Sequence, residues 1–234
     1  MTKNLYDETY FHSYVAGTTD PLYEKRLKMY RQEIARIEKY KNKGSVLDVG
    51  CGTGDFLSLF DTSRWRKYGI EISDYAKGKA LAHKIIFDFD RQQTAQFDLI
   101  VYRGTIQHIE EPIASLKETI RWLKPDGVMA FLATPNTGGI CYRLFQELPM
   151  MDRERNFVLF SDRTLRQVLS NLGMEVVEVV FPYWNTPYRA WPDDILNFLV
   201  RLFGVKVTFA FWGNVFECYA VSAGHYPPHK PRVG

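Results

Sequence analysis

Val46-Leu47-Asp48-Val49-Gly50-Cys51-Gly52-Thr53-Gly54-Asp55-Phe56 decides how the rest of this 234-residue chain is read. A short apolar run of strand character leads into a turn with glycine at every second position. Glycine has no Cβ and takes φ > 0, so a ligand can lie against such a backbone. Asp48 sits inside the strand, just before the glycines. A carboxylate there costs desolvation energy unless it meets donors or positive charge. The stretch reads as a binding turn at a strand end, with a preference for a polar, cationic ligand.

The flanking sequence repeats the strand–helix alternation. Strands are expected at 67–72, 84–88, 97–102, 128–133, 175–181 and 215–222. Ser73-Asp74 caps one intervening helix. Pro112 starts another, with Ile113, Leu116, Ile120 and Leu123 turned inward, and Pro125-Asp126-Gly127 ends it. Ser161 caps a helix that stops at Gly173. Before the glycine turn, Asp20 as N-cap and Pro21 start a helix whose inner face is Leu27, Tyr30, Ile34 and Ile37, with a solvated basic outer face. Residues 136–160 read as a connection with one helix at 142–148. Residues 182–192 form an aromatic, proline-rich loop. The next helix follows Asp193-Asp194, with Ile195, Phe198, Leu199, Leu202 and Phe203 on one face. This pattern predicts an α/β fold: a doubly wound, mainly parallel sheet of seven strands with an antiparallel C-terminal edge strand. One domain is expected over 1–234: an N-terminal cap at 1–43, a cofactor-binding core at 44–135, a C-terminal part with a substrate-covering insert at 136–226, and a tail at 227–234.

Composition narrows the function class. A chain that is 46% hydrophobic and 24% charged is globular, and a net charge of +3 makes no case for nucleic acid as partner. Three scattered cysteines have neither metal-ligand nor disulfide spacing, so no metal is expected and a reducing compartment is. The N-terminus lacks an apolar leader, and no apolar run reaches the length of a membrane span. A cytoplasmic location is therefore expected. The unusual figure is 15% aromatic residues.

Two ligand classes use a strand, a glycine turn and a helix in this way. Dinucleotides place a pyrophosphate over G-x-G-x-x-G. Here the glycines fall as G-x-G-x-G at Gly50, Gly52 and Gly54, and Asp48 beside them disfavours a pyrophosphate. S-adenosylmethionine carries an ammonium, a sulfonium and no phosphate, so Asp48 favours it. An opposite charge at ~4 Å near a protein surface is attracted by roughly 4 kcal/mol before desolvation is subtracted. The stretch 46–56 resembles motif I of the class I S-adenosylmethionine-dependent methyltransferases, and the resemblance runs over roughly 44–222. It implies a Rossmann-like fold. It also implies that Glu71 takes the ribose hydroxyls, and that Asp88 and Phe89 meet the adenine amine and ring face. Asp48, Gly50, Gly52, Gly54, Glu71, Asp88, Phe89 and Arg103 make up the expected cofactor set. The segment 97–109 resembles motif IV, with Gln107 where relatives have the first of two histidines. Asn156 stands where many relatives carry a histidine ahead of Phe160-Ser161.

Methyl transfer from a sulfonium needs positioning and exclusion of water more than metal chemistry. A hydroxyl acceptor also benefits from a base. His108, after the fourth strand, is the expected one, because imidazole titrates near neutrality. Tyr10, His12 and Tyr14 are further pocket candidates. The segments expected to cover the acceptor are 1–43 and the insert 136–160 with the aromatic loop 182–203; their aromatic content favours a small-molecule acceptor, with O-methylation of a sugar or ring hydroxyl first and N-methylation of a small amine or amino sugar second. A nicotinamide-dependent oxidoreductase is the rival that the glycine spacing disfavours. A non-catalytic S-adenosylmethionine-binding protein is the rival that Gln107 and Asn156 keep open. A homodimer is compatible with the sequence.

Overall fold

A computed structural model describes residues 8, 10–11, 21–148, 151–152 and 154–225. The elements follow in the order α1 (Tyr23–Ile37), β1 (Gly44–Val49), α2 (Asp55–Ser58), β2 (Trp65–Ile70), α3 (Asp74–Ala80), β3 (Phe97–Arg103), α4 (Pro112–Trp122), β4 (Leu123–Pro135), α5 (Ile140–Phe145), α6 (Asp162–Asn171), β5 (Met174–Val180), α7 (Asp193–Leu202) and β6 (Val215–Ser222). One mixed sheet has the order β2-β1-β3-β4-β6-β5. Strands β2, β1, β3 and β4 run parallel, and β6 is antiparallel to both β4 and β5.

The alternation of side chains along the strands builds a core on each face of the sheet. Leu47, Ile100 and Tyr102 join Leu116, Trp122 and Leu165 on one side. Val46, Leu99 and Val101 join Ile34, Ile37, Phe56 and Leu57 on the other. Strands covered on both faces read as near-continuous apolar runs, which is why 97–102 and 128–133 were legible. A third, smaller cluster of Cys141, Leu148 and Phe209 lies under α7, with Phe145, Phe198 and Phe211 packed against it.

Several expectations need correction. The described sheet has six strands, not seven. The expected strand at 84–88 is reduced to one parallel bridge, Tyr68 to Ile86, beside β2. Lys84 turns the chain left-handed at φ 59°, and the Asp-rich sequence after Phe87 suits loop rather than strand. The antiparallel C-terminal strand β6 lies one position in, and β5 forms the edge. Strand β4 starts at Leu123, so the Pro125-Asp126-Gly127 turn lies within its span. On α4, Thr119 and Trp122 are buried while Ile113 is exposed. On α1, charged Arg26 and Glu33 are buried alongside Leu27, Ile34 and Ile37. On α7, Leu199, Leu202 and Phe203 are exposed. Ser161 caps α6 as expected, in a capping box with Thr164. Asp20, His12, Tyr14 and the tail at 227–234 lie outside the described residues.

Candidate functional site

The strand order reverses between β1 and β3, the place where open α/β sheets leave a crevice at their carboxyl ends. Two turns follow these strands, 50–54 and 104–108. They face a cavity of about 1000 Å³ lined by Asp48, Gly50, Gly52, Glu71, Arg103 and His108 among others. The glycines serve different ends. Gly50 has φ 77°, and a Cβ there would lie 2.4 Å from Thr105 Cγ2, so this glycine lets the two turns touch. Gly52 has φ 53°, and its nearest neighbour to such a Cβ is Phe11 at 3.5 Å. Gly54, at φ 83°, does not line the cavity; it starts α2 and packs against Ile85.

Asp48 is buried, and its Oδ1 has no hydrogen-bond partner. Burial raises its pKa to about 7; Arg103 opposes the rise, and Glu71 and Glu33 add to it. An ionised carboxylate in this position calls for a cation. Glu71 stands just past β2 and ties the turn there, at 71–73, to the glycine turn after β1. Its Oε2 accepts from the Gly52 N–H at 2.9 Å, and its Oε1 accepts from Ile72 and Ser73 N–H at 2.7 and 2.8 Å.

Arg103 ends β3 and grips α1. Its Nε and Nη2 donate to the two oxygens of Glu33 at 2.8 and 3.2 Å. Its guanidinium also lies 4.1 Å from the Tyr30 ring centroid. Burial works to lower the Arg103 pKa, and Glu33 with Tyr30 overcomes it, so the cation persists. Arg26, Tyr30 and Glu33 line the cavity; in the sequence Tyr30 was read only as part of the apolar face, and Arg26 and Glu33 were not singled out. Their signal was present: polar side chains at i, i+4 and i+7 form a stripe beside the apolar one.

His108 ends a short 3₁₀ turn, Ile106–His108. Its Nδ1 lies 2.9 Å from the Arg155 carbonyl. A carbonyl only accepts, so Nδ1 carries the proton and Nε2 holds a lone pair. The Gln107 amide is oriented by donation to the Gly104 carbonyl at 3.0 Å, and the same nitrogen lies 3.3 Å from His108 Nε2. Burial lowers the His108 pKa, against the hydrogen bond to Arg155 and the charge of Asp152. The backbone of Phe157 donates to the Gln107 carbonyl at 2.9 Å, which straps residues 155–158 onto this turn. Asn156 does not line the cavity; its amide atoms are buried without a partner.

Asp88 is exposed and Phe89 is held edge-on between Phe97 and Trp122; neither lines the cavity. Arg91 and Trp122 line that end instead, with the Arg91 guanidinium over both rings. Tyr10 lines the cavity as expected, under the Arg155 guanidinium. The opposite end is made of Leu148, Pro182, Tyr188, Phe209, Phe211 and Asn214. Cys51 is buried, and burial together with Asp48 and Glu71 keeps it a thiol. Among the described residues no His/Cys/Asp/Glu group could hold a metal ion.

The sequence profile of a family described as a methyltransferase domain matches residues 23–179, which include every one of these turns up to β5. The chain belongs to that family, the S-adenosylmethionine-dependent class I methyltransferases. The methyltransferase is 30% identical over 143 residues to a probable protein arginine N-methyltransferase 6 of Arabidopsis thaliana, covering 53% of this chain and 33% of the relative. It is 28% identical over 159 residues to a phosphoethanolamine N-methyltransferase of Triticum aestivum, covering 62% and 31%. The methyltransferase thus matches about a third of the length of these relatives. A solved magnesium protoporphyrin IX methyltransferase of Synechocystis, with bound S-adenosylhomocysteine, shares the fold at a TM-score of 0.64 and 13% identity, over 95% of this chain and 98% of that one.

The family's cofactor is S-adenosylmethionine, and the residues present fit it. The unpartnered, buried Asp48 Oδ1 suits an ammonium. The side-chain-free edge at Gly52, where a Cβ would meet nothing nearer than Phe11 at 3.5 Å, leaves room for a ligand against the backbone.

Proposed function

We propose that this methyltransferase methylates a hydroxyl of a small, ring-bearing molecule, a sugar or an aromatic. Asp48 would hold the cofactor's ammonium, Glu71 its ribose, and Arg103, fixed by Glu33, the carboxylate side of the same pocket. When bound, S-adenosylmethionine supplies an electrophilic methyl group whose departure leaves a neutral thioether. His108 Nε2 takes the proton from the attacking hydroxyl as the new bond to carbon forms. The observation that carries this reading is the bond from His108 Nδ1 to the Arg155 carbonyl, which leaves Nε2 as the basic nitrogen. A depressed pKa keeps that nitrogen unprotonated at neutral pH. The apolar and aromatic end of the cavity, with Thr186, Tyr188, Thr208 and Asn214 among its polar groups, favours a ring over a flexible charged chain.

N-methylation is the second reading, favoured by the name of the wheat relative. An unprotonated amine needs no base, so the two readings part at His108. Methyl-labelled cofactor screened against nucleotide sugars, phenols and amines identifies the acceptor. With that acceptor, His108→Ala should lower turnover by roughly 10²-fold or more for a hydroxyl. Unchanged turnover would remove His108 as base and favour the amine.

A further inference from the structure

We propose that this chain docks on the surface of a lipid bilayer through the outer face of α7 and the aromatic loop that leads into it. The inner face of α7 is fully engaged. Phe198 stacks on Phe211 at 4.5 Å between centroids and meets Phe145 and Phe209 edge-on. The outer face is apolar as well. Leu196, Leu199 and Leu202 are 60%, 47% and 50% exposed, and Phe203 and Val205 follow at 87% and 50%. Spacings of three, four and seven residues place Leu196, Leu199 and Phe203 on one stripe. A helix apolar on both faces has a second surface to cover.

The charges of this region have been drawn off that face. Arg201 is turned inward, over the Phe145 ring and paired with Glu147. Asp194 is buried and accepts from the Tyr183 hydroxyl and the Ala190 N–H at 2.8 and 2.7 Å. Exposed cations remain at the margins, Arg189 before the helix and Lys206 after it; the exposed carboxylates are Asp193 and Glu147, the latter paired with Arg201. Trp184 and Trp191, 54% and 51% exposed, stand in the adjoining loop. Leucine and phenylalanine on a helix face, tryptophan at its border and cations at the rim match an interfacial membrane helix. The loop and the segment after the helix also supply Tyr188, Phe209 and Phe211 to the cavity, so a bilayer here lies beside the acceptor end. This docking surface goes beyond the methyl-transfer reading and does not depend on it.

The test is co-sedimentation of the full chain with vesicles of phosphatidylcholine, alone and with phosphatidylglycerol, in the absence of any acceptor. The chain should pellet with both, several-fold more strongly with the anionic lipid. The Leu199→Ser/Phe203→Ser variant should lose at least tenfold in partitioning, while its affinity for S-adenosylhomocysteine, which reports folding, stays unchanged. A chain that stays in the supernatant with both vesicles overturns the proposal. So does a double variant that partitions like the parent. A lipid-free dimer that the double variant dissociates, with no vesicle binding, assigns the face to a second copy and overturns it as well.

Discussion

Asp48 carries the sharpest conflict between stability and function in the chain. Its folded pKa, raised by burial to about 7, lies above the ordinary carboxylate value near 3.8. The sign follows from that order. The cofactor-free fold is least burdened below pH ~3.8, where the group is protonated folded or unfolded, and loses stability as pH rises through about 7. Asp48→Asn should therefore raise the stability of the cofactor-free protein by about 4 kcal/mol at pH 8 and by next to nothing near pH 4, read by urea melts at the two pH values. The same substitution should weaken S-adenosylhomocysteine binding. In the parent chain affinity should fall about tenfold from pH 8 to pH 6, because ammonium capture uses the ionised form. In the Asn variant calorimetry should find that slope gone. His108 behaves differently. Its depressed pKa places the acid limb of turnover, at saturating cofactor, below the ordinary imidazole value near 6.5. His108→Ala should abolish that limb and leave cofactor affinity within about twofold.

Helix α1 and the two turns form the working unit at the next scale. The Glu33–Arg103 pair joins α1 to the end of β3, with Glu33 3% and Arg103 15% exposed at the side chain. Removing one partner leaves a buried charge, so Glu33→Gln should cost about 3 kcal/mol in chemical denaturation and weaken cofactor binding with it. Gly50→Ala should fail more completely, since its Cβ would meet Thr105 at a backbone φ of 77°. Thermal melts should find it destabilised, and calorimetry should find no S-adenosylhomocysteine binding even where a folded fraction survives. What was legible at this scale follows from local chemistry. The turn 46–56, the capping Ser161 and the covered strands announce themselves by glycine spacing, a hydroxyl cap and apolar runs. The strand at 84–88 was overread, because an apolar triplet does not say whether a neighbour is long enough to pair with. Glu33 was not singled out, because its partner lies 70 residues away and no local pattern names it.

Across the whole molecule the cavity has two ends with different origins. The donor end is built from strand termini and turns in one contiguous stretch of chain, so motif spacing predicted Asp48, Gly50, Gly52, Glu71, Arg103 and His108 at its wall. Asp88 and Phe89 were expected beside them, but Phe89 is drawn into the Tyr68, Phe97 and Trp122 aromatic cluster and Arg91 takes the adjacent wall. The proposed acceptor end is assembled from 148, 182–188 and 208–215, segments distant in sequence and without a shared motif. Its composition was visible as aromatic content; its convergence was not. That division explains why the methyl donor follows from sequence while the acceptor class rests on the cavity's lining. On the reading proposed above, the glycine turn with Asp48 and Glu71 holds S-adenosylmethionine. Calorimetric titration of the chain with S-adenosylhomocysteine and, separately, with NAD tests it most directly. One-site binding of S-adenosylhomocysteine that Glu71→Ala weakens at least tenfold, with no heat from NAD, is the predicted result; binding of NAD, or S-adenosylhomocysteine binding indifferent to Glu71, would contradict it.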